Sequence, residues 1–206
     1  MTTQQNDLKF TSCGDYMRGE TFLISDTHWG HVNILKFTDA KGNLIRGDKF
    51  STVEEMNDCM YDNWQLHVKE NDTVYHLGDV AFGPYKQTDF AKKFRKLNGK
   101  KYLVVGNHDD IPWVVREKLF DDVMMWRKLK SHRMLLTHTP IHQSSLKTYD
   151  DGTKMINVHG HIHQVPSPTK NHRCACVEWT DYAPIHIDDV LALNNYKTKV
   201  KETANV

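Results

Sequence analysis

Short apolar runs separated by polar turns make up most of the chain, and many of these runs end in residues that can bind metals. Seven runs predict strands, at residues 21–25, 73–77, 101–105, 123–129, 133–137, 154–158 and 173–179. Apolar residues at helical spacing predict helices over residues 51–68, 89–97 and 113–119, with shorter ones near residues 32–37 and 187–193. Ser51 and Glu54 have the spacing of a capping box, which predicts the start of the longest helix.

The order of these elements predicts the fold class. Strands alternate with helices in the first half of the chain, and strands dominate the second half. This order favours an α/β fold with two packed mixed sheets and flanking helices over a single doubly wound sheet. We expect one domain over residues 1–206, because no repeat or linker interrupts the pattern. Residues 1–20 predict a loosely structured lead-in with one edge strand near residues 8–11.

Composition narrows the function classes. With 27 Lys and Arg against 26 Asp and Glu, the formal net charge is +1, so polymeric nucleic acid is a disfavoured partner. No apolar stretch has membrane-spanning length and the first residues lack a secretory signal, so we expect no membrane contact and a cytoplasmic location. The four cysteines suit reduced thiols. The 13 histidines direct attention to metal binding.

Seven residues with metal-binding side chains lie at the carboxyl ends of predicted strands: Asp26, His28, Asp79, Asn107, His138, His161 and His163. In open α/β folds, ligands gather at that edge of the sheet, so we expect the seven to converge. A glycine directly precedes Asp79, Asn107 and His161. Glycine permits sharp turns, and three such turns in register with metal-binding residues favour a built site over ordinary loops.

The number of candidate ligands exceeds what one four-coordinate ion uses. It fits two divalent transition-metal ions about 3.5–4 Å apart with a bridging carboxylate. Asp79 is the expected bridge because it is the lone ligand of its strand. Imidazole and carboxylate together suit manganese, with iron, zinc or nickel as alternatives, and argue against calcium.

These residues also resemble a known family. Five short blocks, in order along the chain, are similar to the five blocks of the calcineurin-like metallophosphoesterases: Asp26-x-His28, Gly78-Asp79, Gly106-Asn107-His108-Asp109, His138 and Gly160-His161-Ile162-His163. The resemblance implies a four-layer α-β-β-α sandwich. It also implies that Asp26, His28, Asp79 and His163 bind one metal, and that Asp79, Asn107, His138 and His161 bind the other.

The details of the blocks point to one branch of the family. The sequence Ser-Asp-Thr-His-x-Gly-His at residues 25–31 resembles the opening of compact bacterial and phage phosphoesterases. Protein serine/threonine phosphatases carry Asp-Arg-Gly after the second block and Glu after Gly-Asn-His. Here Val80 follows Asp79 and Asp109 replaces that Glu, which argues against a protein phosphatase.

His108 stands beside the ligand Asn107 without being needed as a ligand. We expect a metal-bound hydroxide to attack phosphorus in line while His108 acts as general acid and protonates the leaving oxygen. Asp109 has two open interpretations: it orients His108, or it caps the helix that begins near Ile111.

Two further residues are candidates for substrate binding. His31 follows His28 by three and could reach a phosphate or base, or belong to the surface. Arg46 could clamp a phosphate bidentately, although an exposed arginine is the commoner outcome. We interpret His76 and His159 as core histidines. Trp64, Trp113, Trp126 and Trp179 suit the core better than a base-stacking platform.

The function that the sequence predicts is metal-dependent hydrolysis of phosphoesters. We expect a phosphodiesterase or phosphatase acting on a small nucleotide-like substrate. A nuclease acting on DNA or RNA is the alternative, with Lys92–Lys96, Lys100 and Lys101 as the one dense basic segment. A non-catalytic binding module is the third hypothesis, but such a scaffold would show lost ligands. The sequence does not indicate which oligomeric state the protein adopts.

Overall fold

The structure, a computed structural model, describes residues 19–82 and 89–196. Three α-helices and nine β-strands are found in these ranges. The helices are α1 (Val53–His67), α2 (Phe90–Arg95) and α3 (Ile111–Arg116). The strands are β1 (Thr21–Ile24), β2 (Thr73–His76), β3 (Lys100–Val104), β4 (Asp122–Met124), β5 (Arg127–Leu129), β6 (Met134–Leu136), β7 (Ile156–His159), β8 (His172–Cys174) and β9 (Ile185–His186). Short 3-10 turns cover Val32–Lys36, Gln143–Ser145, Val177–Trp179 and Asp189–Ala192.

The strands form two mixed sheets, as expected. The first sheet has the order β4-β3-β2-β1-β9, with β1 to β4 parallel and β9 antiparallel. The second has the order β5-β6-β7-β8, with β5 antiparallel to β6 and the others parallel. The parallel strands β1, β2 and β3 therefore bring their carboxyl ends to one edge, where the predicted ligands come after them.

Alternate residues of the first sheet pack on opposite sides. Phe22, Ile24 and Val74 join a core with apolar residues of all three α-helices. Leu23 and Tyr75 face the other way and pack with residues of the second sheet. Helices, first sheet and second sheet thus form three layers. The α/β class is confirmed, and the fourth layer of the expected sandwich stays a prediction, because all three α-helices in the described ranges belong to the first core.

Some element predictions were wrong in detail. The expected strand over residues 123–129 is two strands, β4 and β5, which belong to different sheets and are joined by Met125 and Trp126. The expected strand over residues 173–179 ends at Cys174 and continues as a 3-10 turn. The capping box is Thr52 with Glu55, one residue later than predicted.

Other expectations fall at the ends of the chain. The terminal helix expected at residues 187–193 is the 3-10 turn Asp189–Ala192, and β9 before it was not predicted. The edge strand expected near residues 8–11 lies outside the described residues. In the described ranges, no helix has both the length and the apolar character needed to cross a membrane. The three described cysteines are free thiols.

Candidate metal centre

The first two ligand blocks are held together by their backbones. Asp26 N donates to Gly78 O at 3.0 Å, and His28 N donates to Asp79 O at 3.0 Å. Asp26 and Asp79 have φ of 54° and 57°, and His28 has φ of 48°. His161 and His163 share this left-handed conformation, with φ of 70° and 48°. Nine non-glycine residues in the described ranges have a positive φ, and five of them lie together here among the candidate ligands. Such clustering of strained residues is typical of functional sites.

Two glycines allow the chain segments to approach closely. A Cβ on Gly106 would lie 2.3 Å from Asp79 Oδ1, and one on Gly160 would lie 2.2 Å from Asp26 Oδ2. The expectation that a glycine before each ligand block matters is therefore supported by a physical reason. At these two positions the reason is the missing side chain and not a positive φ.

Asp26, His28 and His163 form one group of candidate ligands whose donor atoms lie within 4.8 Å of one another. His28 Nε2 is 3.8 Å from Asp26 Oδ1, and His163 Nε2 is 3.9 Å from the same oxygen. Asp26 Oδ2 is occupied by Ser25 Oγ, His161 N and Cys176 Sγ. Asp26 Oδ1 and His28 Nε2 are buried and have no hydrogen-bond partner among the described residues.

His138, Asn107 and His161 converge at the other side of the site. Asn107 Oδ1 is 2.8 Å from His138 Nε2 and 2.9 Å from His161 Nδ1, and the two histidine nitrogens are 3.2 Å apart. His138 Nδ1 lies 2.7 Å from Leu77 O, so it donates there and leaves Nε2 free to accept or ligate. The predicted second set of ligands is thus brought together.

Asp79 lies between the two groups. Its Oδ2 is 3.6 Å from His28 Nε2 and 3.6 Å from His138 Nε2, while its Oδ1 accepts from His108 N at 2.9 Å. By donor-atom proximity, Asp26 also belongs to a group with Asp79 and His138. Asp26 has only Oδ1 free and uses it toward the first group. Asp79 Oδ2 therefore remains the better candidate for a shared ligand atom.

Burial shifts the pKa values of several side chains in this cluster. It raises the pKa of Asp79, although His138 opposes the shift. It lowers the pKa of His28 far below the usual range, and it lowers the pKa of His161. Neutral imidazoles are the form that binds metals, so His28 and His161 are ready ligands at neutral pH.

Asp109 neither orients His108 nor caps α3, the two roles predicted from the sequence. Its carboxylate accepts hydrogen bonds from the backbone N–H groups of Asp79 (3.0 Å), Val80 (2.9 Å) and Gly106 (2.8 Å). The residue that caps α3 is Asp110, which accepts from Trp113 N. Asp109 therefore fastens the loop after β2 to the loop after β3, which fixes the position of Asp79.

Arg46 was a candidate for phosphate binding, with an exposed arginine as the commoner outcome, and the structure corrects both. Its side chain is fully buried, and Nε and Nη2 lie 2.8 Å and 2.7 Å from Glu178 Oε1. It also donates to the backbone oxygens of Asp26 and Thr27 and to Met56 Sδ, and its guanidinium lies 5.8 Å from the centre of the Tyr182 ring. With its donors buried and engaged, this guanidinium cannot reach a substrate. It supports the loop that carries Asp26.

Glu178 was not singled out in the sequence. Its Oε1 is 2.8 Å from His163 Nδ1, which turns His163 Nε2 toward Asp26. Burial by itself would raise the pKa of Glu178, but Arg46 and the bond from His163 outweigh burial and lower it to about 2. Burial lowers the pKa of His163, but the hydrogen bond to Glu178 and the negative charges of Glu178 and Asp26 together outweigh burial and raise it. A carboxylate that orients a ligand histidine is a common support of metal sites.

His108 and His31 lie at the His28 side of the cluster. The ring of His108 is exposed and its centre lies 5.8 Å from that of His28 and 5.5 Å from that of Phe82. His31 stacks on Phe82 with ring centres 4.1 Å apart. His31 is half-buried, and burial lowers its pKa.

The two expected core histidines are buried and satisfied. His76 Nε2 is 2.9 Å from Thr27 Oγ1, which itself donates to Val80 O, so His76 donates this bond. His76 Nδ1 accepts from Gly78 N. His159 lies 3.0 Å from Ser167 Oγ and 2.9 Å from Gly160 O.

The donors fit divalent transition metals. Imidazole nitrogens, carboxylate oxygens and the amide oxygen of Asn107 make up the set. Three of its buried atoms, Asp26 Oδ1 and both ring nitrogens of His28, have no hydrogen-bond partner among the described residues, and Asp26 Oδ1 and His28 Nε2 lie 3.8 Å apart. An ion would satisfy both. The fold and the site therefore define a candidate metalloenzyme.

Comparison with known proteins gives the family. The family model for the calcineurin-like phosphoesterase superfamily domain matches residues 20–178, and the chain belongs to this superfamily. The chain is 31% identical over 191 residues to an uncharacterized protein of Methanocaldococcus jannaschii, with 89% of this chain and 96% of the relative covered. It is 30% identical over 90 residues to the Gene 66 protein of Mycobacterium phage L5, with 43% and 39% covered.

A solved structure is also similar. A protein of unknown function from Aquifex aeolicus superposes with a TM-score of 0.63 at 26% identity, with 85% of this chain and 99% of that chain covered. Family membership supports a metal-dependent phosphoester hydrolase in general terms.

Proposed function

We propose that the protein hydrolyses small nucleotide-like phosphoesters, as a phosphodiesterase or phosphatase that uses two divalent metal ions. Manganese is the first candidate for these ions. Asp26, His28, Asp79 and His163 would hold one ion, and Asp79, Asn107, His138 and His161 the other. When bound, the two ions would neutralise charge on the phosphoester and activate a water molecule near neutral pH. The observation that carries the proposal is the pair of partnerless buried atoms, Asp26 Oδ1 and His28 Nε2, beside Asp79.

His108 is the proposed general acid. Its exposed ring lies near His28 while its backbone N–H is fixed on Asp79 Oδ1, so it is anchored to the ligand set without belonging to it. A histidine in this place can give a proton to the departing oxygen. His31, stacked on Phe82 beside it, is proposed to contact the substrate at the same end of the site.

Support for a small substrate over a polymer comes from the basic segment. Lys101 is buried and donates to the carbonyls of Leu97 and Gly99. Lys92 pairs with Asp89 at 2.9 Å. The segment therefore offers fewer free cations to the phosphates of a polymer than its sequence indicates.

The experiment compares His108→Ala with His132→Ala, which removes an exposed histidine in the turn between β5 and β6. Both variants should bind manganese like the wild type. We expect His108→Ala to lower kcat by about 100- to 10,000-fold for an ester with an alkyl leaving group. The loss should be smaller for p-nitrophenolate, which departs without a proton. Equal rates of the two variants on the alkyl ester would remove His108 from the mechanism, and absence of any phosphoester hydrolysis by the wild type would overturn the function.

A further inference from the structure

A cleft beside the metal centre exposes an unusual amount of apolar side chain. Its volume is about 700 Å³, and its lining includes Met125, Trp126, Leu135 and Ile141. Trp126 is 59% exposed and Met125 is 72% exposed. This corrects the expectation that Trp126 belongs to the core. Volumes of 300–1,000 Å³ are typical of small-molecule sites.

The cleft is continuous with the second ligand group. Asn107 and His138 form part of its lining, whereas His28 and His108 do not. A phosphorus atom held among the ligands would therefore lie at the inner end of the cleft. Any substituent on that phosphorus that extends toward His138 enters the cleft.

The walls are held in place by the fold. Met125 and Trp126 are the two-residue link between β4, which pairs with β3, and β5, which pairs with β6. Both ends of the link are fixed, so the two apolar side chains have little freedom to fold back into a core. This connection explains why large apolar residues stay exposed here.

Another part of the lining rests on buried polar residues. Ile141 N donates to Asn157 Oδ1 at 3.0 Å, and Ile141 O accepts from His172 Nε2 at 2.8 Å. Asn157 and His172 are both fully buried. The lining of the cleft is thus held in place, and it offers mostly apolar side chains and no acidic or basic residue other than His138.

We propose that this cleft binds an aromatic ring on the substituent that stays on phosphorus, with Trp126 as the stacking surface. The proposal rests on the proposed function. His108 lies at the His28 end, so the leaving oxygen departs there, and the retained substituent of a phosphodiester extends toward His138 and Trp126. A monoester has no retained substituent, so the cleft favours diesters. Nucleobases and aryl groups share the chemistry that Trp126 recognises.

The test uses three diesters with the same p-nitrophenolate leaving group and methyl, phenyl or thymidine-5′-yl as the retained group, with the manganese-loaded full chain. Wild type should show a higher kcat/KM for the two aromatic esters than for the methyl ester. Trp126→Ala should reduce that preference by about 5- to 100-fold, the size of one ring stack. Trp126→Phe should keep most of it. The control Leu66→Ala, at a 78% exposed leucine of α1, should leave it unchanged.

A binding measurement separates the ring from the phosphate. Trp126→Ala should weaken binding of thymidine 5′-monophosphate in calorimetry by a similar factor and leave binding of inorganic phosphate unchanged. A higher kcat/KM for the thymidine ester than for the phenyl ester would identify the ring as a nucleobase, and the reverse order as an aryl group. Hydrolysis of all three esters with no effect of Trp126→Ala would overturn this proposal alone, whereas no hydrolysis of any would overturn the proposed function. A dimer that Trp126→Ala dissociates would also overturn it, because the cleft would then be an interface.

Discussion

Glu178→Gln tests the support beneath His163. The change keeps the shape of the side chain but removes the charge that faces the buried Arg46 guanidinium, whose nitrogens lie 2.7 Å and 2.8 Å from Oε1. The pKa of Glu178 falls from 4.5 to about 2 in the folded protein. At about 1.36 kcal/mol per pKa unit, this corresponds to about 3 kcal/mol of stability at pH 7. Removal of one partner from a buried ion pair costs about 3–5 kcal/mol, which is consistent.

The assay is urea unfolding of the metal-free protein at pH 7, followed by circular dichroism. We expect Glu178→Gln to lower the unfolding free energy by about 3 kcal/mol. The control is Asp151→Asn, which removes the carboxylate partner of Arg133 at an exposed ion pair and should have a much smaller effect. If the unfolding free energy of Glu178→Gln lies within about 1 kcal/mol of the wild type, the Arg46–Glu178 pair contributes no more than an exposed pair, contrary to this prediction.

The pH dependence has a definite sign. Because the folded pKa of Glu178 lies below its unfolded value, its contribution is present above pH 4.5 and is lost as the pH falls toward 2. The difference between wild type and Glu178→Gln should therefore be largest near neutral pH and shrink through that window. Manganese affinity should fall by about 10- to 100-fold in the variant, since His163 loses its orienting partner.

Three further predictions concern the loops that carry the ligands. Asp109→Asn should weaken manganese binding by about 10- to 100-fold in calorimetry. Asp110→Ala should cost about 1 kcal/mol of stability as a lost helix cap and leave the manganese affinity unchanged. Equal affinities of the two variants would contradict the role of Asp109 in holding the two loops together. Burial lowers the pKa of His76 from 6.5 to about 3, so the contribution of its neutral form to stability is complete above pH 6.5. The free energy of unfolding of the metal-free protein should therefore fall by about 2 kcal/mol between pH 6.5 and pH 5. Urea unfolding of His76→Asn should show a shallower pH dependence, and an unchanged slope would count against this contribution of His76. Gly106→Ala should abolish manganese binding because its Cβ would lie 2.3 Å from Asp79 Oδ1. Gly42→Ala has nothing within 4 Å of its Cβ but a φ of +85°, so it should lose some stability and still bind manganese normally.

The convergence of the candidate ligands could be predicted from the sequence because each candidate is tied to a local pattern. An apolar run such as residues 21–25 predicts a strand, and parallel strands bring the residues at their carboxyl ends to one edge of the sheet. Asp26, His28 and Asp79 meet there as expected. The blocks are short and in order, so the family resemblance needed no knowledge of distant contacts, and the family match confirms it.

The features that the sequence did not predict depend on contacts between distant residues. Arg46 and Glu178 are 132 positions apart, and nothing near either residue indicates the other. A cationic residue in a loop therefore suggested phosphate binding, although the folded chain uses it to hold a carboxylate. Asp109 was misassigned for the same reason, since its main partners lie in the loop after β2.

The prediction that Trp126 belongs to the core was wrong for a different reason. Residues 123–129 have the composition of one continuous strand, and a continuous strand would bury its tryptophan. The chain instead changes sheet at Met125 and Trp126, which the hydrophobic pattern does not encode. The same change of sheet creates the cleft beside the metal centre.

The most direct test of the account is a crystal structure of the manganese-loaded protein with anomalous diffraction data. We expect two manganese peaks about 3.5–4 Å apart, one on each side of Asp79 Oδ2, with His28 and His138 on different ions. A single peak, or two peaks that do not share Asp79, would contradict it.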